Sequence, residues 1–297
     1  MDKNINKIIE DCNNSNNVDY VKVVAKEIVL TDPYTICHFA ENVDLVDDPS
    51  IMPILEKGII SFGDIVHIYE FMFLMVDCKR QNFNLPSFEA LIRSSKNPKL
   101  MLYCIGFVPG IDIPLMLEAL YATKCIKYIE KLEDPEYGLE DIIDWNEYEE
   151  QCEIARNTKY FPEALKQYQK PGVNLLNSVL QSKDPYLINE LADYLEYLRD
   201  YQGVDNVDDF LEILGYAMAR TNDPLHHYEF AASIAYCDKE MFQKRVIDSG
   251  LIKFVYYMYE YVKGTNKNML ANVIHQSGDE KYIDKIGHNK QYPKYDY

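Results

Sequence analysis

Apolar and polar residues alternate along this chain in a phrase that recurs. An apolar run leads to Ser or Thr, then Asp or Asn, often Pro, and then a second apolar run at helical spacing. The phrase reads LTDPYTICHFAENV from Leu30, SFGDIVHIYEFMFL from Ser61, SKNPKLMLYCIGFV from Ser95, QSKDPYLINELADYL from Gln181 and RTNDPLHHYEFAASI from Arg220. Further copies start at Ala122 and His275, and weaker ones at Ala155 and Ile247. After Asp32 the apolar residues fall at Ile36, Phe39, Ala40 and Val43; after Asp184 they fall at Ile188, Leu191, Ala192 and Leu195. This is the one-sided stripe of an amphipathic helix. The anchors Asp32, Asp64, Asn97, Lys124, Asn157, Asp184, Asp223, Gly250 and Asp279 recur with a period of about thirty residues, the scale of helical repeats.

The phrase has a mechanical meaning. An Asp or Asn side chain accepts from the unpaired N–H groups of a first helical turn, and Pro at the first helical position has a preset φ and no N–H to leave unpaired. Asp32-Pro33, Asn97-Pro98, Asp184-Pro185 and Asp223-Pro224 each predict a helix start, with a first helix of about twelve residues. Second starts are expected at Asp48-Pro49, Ser87 with Glu89, Asp112, Asp208, Asp238 and Asn266. A helix pair cannot bury its apolar face alone, so neighbouring pairs must stack. The expectation is an all-α fold, a right-handed α-solenoid of about eight or nine helix–turn–helix repeats. It divides into a capping segment at 1–24, repeats at 25–288 and a flexible tail at 289–297. Strands are disfavoured: sustained alternation and Asn-Gly or Asp-Gly turns are missing, and only 12 glycines are present.

The phrase apolar-x-x-[ST]-x-[DN]-x-x-x-[IL]-x-x-[FI]-A resembles the degenerate short helical repeats of uncharacterised proteins from large DNA viruses, phages and bacteria, with ankyrin- or HEAT-like architecture. It covers residues 25–288 and departs from the pattern in the long spacer from Asp184 to Asp223 and in an acidic insert near 134–153. The resemblance implies an α-solenoid without a shared enzymatic activity and carries no functional residues with it. A composition rich in Asn, Lys, Ile and Tyr is also what an AT-rich genome encodes, in keeping with a viral source.

Net charge is −18, and it is unevenly spread. Residues 130–212 hold 7 Lys and Arg against 21 Asp and Glu, a net of −14, whereas residues 213–297 hold 11 against 10, a net of +1. Such a field opposes phosphate backbones and anionic membranes and favours a basic partner. Direct nucleic-acid binding is therefore not expected. The polar, acidic start lacks the basic and apolar regions of a signal peptide, and no long apolar run exists, so a cytoplasmic protein is expected, in host cytoplasm if viral. Seven scattered cysteines without a C-x-x-C pair read as buried thiols in a reducing compartment.

Catalytic motifs are missing, and no metal or cofactor is implied. His226-His227 with Glu229 could suggest metal ligands, but helical neighbours point about 100° apart, so one His is expected outward and one packed. His38 and His67 are expected on helix faces. Asp205, Asp208 and Asp209 lack a calcium-loop pattern and read as a cap with first-turn acids. The stretch 130–153 holds 11 acids, one base and the only tryptophan, Trp145. One reading is a long helix with a solvated face, Ile142, Ile143 and Trp145 packing inward. The other is a docking patch for a basic protein, built from Glu140, Asp141, Asp144, Trp145 and Tyr148 and extended by Tyr194, Tyr197 and Tyr201. The leading function is a non-enzymatic interaction scaffold. Its rivals are an acidic nucleic-acid mimic that inhibits a basic enzyme, and an enzyme with an unrecognised site.

Overall fold

The computed structural model describes residues 3–137, 139, 142–169 and 174–287, and all regular structure among them is helical. Two compact units divide the chain, residues 1–160 and 161–297. The expected tail at 289–297 lies outside the described residues. The expected capping segment holds the helix Lys3–Ser15, which buries Ile5, Ile9 and Cys12 and so is packed, and most of the helix Val18–Ile28.

Capping follows the local chemistry closely. Asp32 accepts from Thr35 N at 2.9 Å, Asn97 from Leu100 N at 3.1 Å, Asp184 from Tyr186 N at 2.9 Å and Asp223 from His226 N at 3.1 Å. Asp112, Asp238 and Asn266 cap the helices Ile113–Thr123, Lys239–Asp248 and Lys267–Ser277 in the same way. Three expected caps shift. Asn84, not Ser87, caps Leu85–Ser95, because its side chain reaches Ser87 N at 3.4 Å; Val207 precedes Asp208–Met218, leaving Asp208 and Asp209 as first-turn acids. Asp48 closes a turn on Ser50 before Met52–Ser61 begins.

Whereas Ile65–Asp77 has 13 residues, three first helices are shorter than expected, with 10 residues each in Pro33–Asn42, Pro98–Phe107 and Pro224–Ser233. Each ends on a buried branched residue in extended conformation, Val43, Val108 and Ile234, which cannot continue the helix. Two of these helices are buried on nearly every side. Pro98–Phe107 buries Leu100 through Ile105 without a break, and Pro224–Ser233 buries Leu225 through Ala231. Second helices bury one face only, as with Phe242, Gln243 and Val246. In residues 1–160 the first helix Pro33–Asn42 packs on Met52–Ser61 and on the next first helix, Ile65–Asp77. In residues 161–297 Pro224–Ser233 likewise packs on Lys239–Asp248 and on its neighbours Pro185–Gln202 and Ile252–Tyr261.

The turn joining one repeat to the next is a repeated device. Its hydroxyl donates back into the preceding helix, as with Ser95 to Ile92 O, Thr123 to Leu120 O, Ser182 to Val179 O and Ser249 to Val246 O, all at 2.6 Å. The same oxygen accepts an N–H two residues on. The residue between sits at positive φ: Lys96 at 55°, Lys124 at 58°, Lys183 at 55° and Gly250 at 70°. Buried or half-buried side chains then peg one repeat to the next. Glu56 accepts from Asn84 N at 2.7 Å, Glu89 from Asp112 N at 3.2 Å and Gln243 from Asn266 N at 2.7 Å.

Two irregularities have physical causes. The long spacer after Asp184 is an 18-residue helix, Pro185–Gln202, stopped by Gly203 at φ 64°. The acidic stretch is not one long helix, since Asp134-Pro135 interrupts it. Short 3-10 turns at Glu130–Glu133 and Pro135–Tyr137 precede the helix Trp145–Arg156.

Candidate interaction surface

The helix Trp145–Arg156 is opened by Asp144, whose carboxylate accepts from Asn146 N at 3.0 Å and Glu147 N at 3.3 Å. Its inner stripe is Tyr148, Cys152 and Ala155, all buried. That stripe turns Trp145 to the edge, where it stays 39% exposed with its ring edge-on to Tyr148 at 5.4 Å. Ile142, just before the helix, is 48% exposed. Asp144, Glu147, Glu149, Glu150 and Glu153 are all exposed. Glu130 is instead held by Arg156, at 2.6 Å.

The expectation that Ile142, Ile143 and Trp145 all pack inward is therefore corrected: only Ile143 is buried. Tyr148 is also corrected as a docking residue. It is 3% exposed, and burial pushes its hydroxyl well above the usual range. Glu140 and Asp141 lie outside the described residues. Burial raises the Tyr121 hydroxyl to about 12, with the nearby carboxylates of Glu147 and Asp144 adding to the effect.

Tyr194, Tyr197 and Tyr201 belong to the other unit, on Pro185–Gln202. Their rings stack along the helix, Tyr194 to Tyr197 at 6.2 Å and Tyr197 to Tyr201 at 5.6 Å. Tyr197 is 1% exposed, which removes it from any surface; Tyr194 is half-buried against Phe161, and only Tyr201 stands out to solvent.

Comparisons with family models, with curated proteins and with solved structures return no match. Both His226 and His227 are buried, which corrects the expected outward one. His227 Nε2 lies 3.0 Å from Met218 O and 3.2 Å from Thr221 Oγ1, bonding the turn behind it, and burial lowers its pKa. His67 is buried with its Nδ1 3.2 Å from Asp64, while His38 sits at the surface against Asn6 at 2.8 Å. Burial pushes the thiols of Cys12, Cys104, Cys152 and Cys237 up, away from the nucleophilic thiolate. Among the described residues no helix is long and apolar enough to cross a membrane.

Proposed function

We propose that this chain is a non-enzymatic interaction scaffold, an α-solenoid of stacked helix pairs that docks a basic protein partner, in the cytoplasm, through its acidic segment. The observation that carries the reading is the exposure of Ile142 and Trp145 beside the carboxylates of Asp144, Glu147 and Glu149. A half-exposed tryptophan offers a large rigid anchor that loses little conformational entropy on binding. Carboxylates around it set orientation and speed encounter with a positive surface. Peg residues such as Glu89, and buried first helices such as Pro98–Phe107, supply the rigid support that such a surface needs. The viral or phage setting implied by the resemblance belongs to the same proposal.

The test is affinity capture from the native source with the wild type and with Ile142→Ala/Trp145→Ala. Both side chains are exposed, so far-UV circular dichroism should be unchanged. Loss of a hot-spot pair predicts partner binding weaker by about thirtyfold. A partner retained undiminished by the double variant would remove the anchor role.

A further inference from the structure

A second surface lies wholly within residues 161–297 and has the opposite character. It is an open groove of about 940 Å³ between two successive second helices, Leu175–Ser182 and Asp208–Met218. Leu180 and Ile188 form its apolar floor, and Ile213 and Tyr216 stand along its wall. Phe210, Ile213 and Tyr216, spaced three apart, are 44%, 44% and 53% exposed, whereas Leu211, Leu214 and Met218 bury the other side of their helix. An outward apolar stripe of this kind marks a place where another molecule sits.

The rim carries the cations Lys183 and Arg220 and the acid Asp223. Lys183 occupies the positive-φ position after Leu175–Ser182, and Arg220 occupies the corresponding turn after Asp208–Met218. Among the described residues neither cation has an ion-pair, hydrogen-bond or ring partner. Three acids of the adjoining helices and turns are engaged, while Asp209 and Glu212 lie exposed on Asp208–Met218. Asp223 caps the following helix, and Asp200 and Asp208 are bound by Arg199, at 2.8 and 3.3 Å. Lys183 and Arg220 thus stand together beside an apolar trough.

We propose that this groove binds a short acidic segment of a partner protein, one bulky apolar side chain against Ile213 and Tyr216 and its carboxylates at Lys183 and Arg220. Two cations are too few to hold a nucleic-acid backbone, whose binding rests on many phosphate contacts. The volume suits a few side chains. This site is separate from the acidic surface of residues 142–153, so either reading can fail alone.

The full chain is titrated by fluorescence anisotropy with a labelled short synthetic peptide alternating glutamate with leucine and phenylalanine. The same peptide with glutamine in place of glutamate serves as its counterpart. The glutamate peptide should bind, and the glutamine peptide should bind about tenfold more weakly. Lys183→Glu/Arg220→Glu and Tyr216→Ala should each cost about tenfold or more, with circular dichroism unchanged because all three side chains lie at the surface. Trp145→Ala should have no effect. Binding of the glutamate peptide that ignores both groove variants, or equal binding of the two peptides, overturns the proposal. A concentration-dependent dimer in sedimentation equilibrium, broken by Tyr216→Ala, would place a second copy in the groove and overturn it as well.

Discussion

The inter-repeat turn makes a paired prediction of opposite sign. Lys124 and Gly250 occupy the same position of the same turn, at φ 58° and 70°. A side chain there pays for the close approach of its Cβ to the following carbonyl, about 1–2 kcal/mol. Replacing Gly by Ala also stiffens the unfolded chain, which returns about 0.4–1 kcal/mol. A Cβ on Gly250 would meet no atom within 4 Å, so packing adds nothing and the net is conformational. Gly250→Ala should therefore destabilise residues 161–297 by about 0.5–1 kcal/mol, and Lys124→Gly should stabilise residues 1–160 by a similar amount. With a urea slope of about 2 kcal/mol/M, the midpoints move by about 0.3–0.5 M in opposite directions. Trp145 is the only tryptophan, so its fluorescence reads the first unit, and circular dichroism reads both. Midpoint shifts of the same sign, or both under about 0.1 M, would refute the reasoning.

Three further outcomes follow from the packing. A Cβ on Gly58 would lie 2.6 Å from Val29 Cβ, so Gly58→Ala should cost about 1–3 kcal/mol despite the better helix former, read as a lower urea midpoint by Trp145 fluorescence. Gln243→Ala leaves the Asn266 N–H without its acceptor and should cost about 1–3 kcal/mol, while Gln243→Glu, which keeps the acceptor, should cost less; equal losses would count against the peg. Burial raises the Glu56 pKa, outweighing the lowering by the Asn84 N–H, so its ionisation at neutral pH weakens the fold, and the deficit fades below the unfolded carboxylate value of about 4.3. Glu56→Gln should therefore raise the urea midpoint at neutral pH and leave it unchanged in acid; no gain at neutral pH would contradict this.

The helix starts were legible because capping is local. Asp32, Asn97, Asp184 and Asp223 need only the next turn of chain to act, and each does. Asn84 was missed because Ser87 followed by Glu89 reads as a cap with a first-turn acid, whereas the carboxylate of Glu89 accepts from Asp112 N in the next repeat. Lys96, Lys124 and Lys183 look like ordinary surface lysines in sequence, and their positive φ comes from the hydroxyl before them bonding in both directions. Tyr148 and Tyr197 could not be sorted from Trp145 and Tyr201 by composition, since which ring faces inward depends on the helix it packs against. The groove beside Tyr216 was hidden for a similar reason, its walls coming from helices a repeat apart.

Trp145 emission during titration with the partner recovered by capture, at low and high ionic strength, tests the docking surface most directly. The account predicts a blue shift as the ring leaves water, with affinity falling by less than about tenfold between low and high salt because apolar contact holds the complex. An unshifted emission at saturation would contradict it, as would a steep collapse of binding with salt, the behaviour of a nucleic-acid mimic.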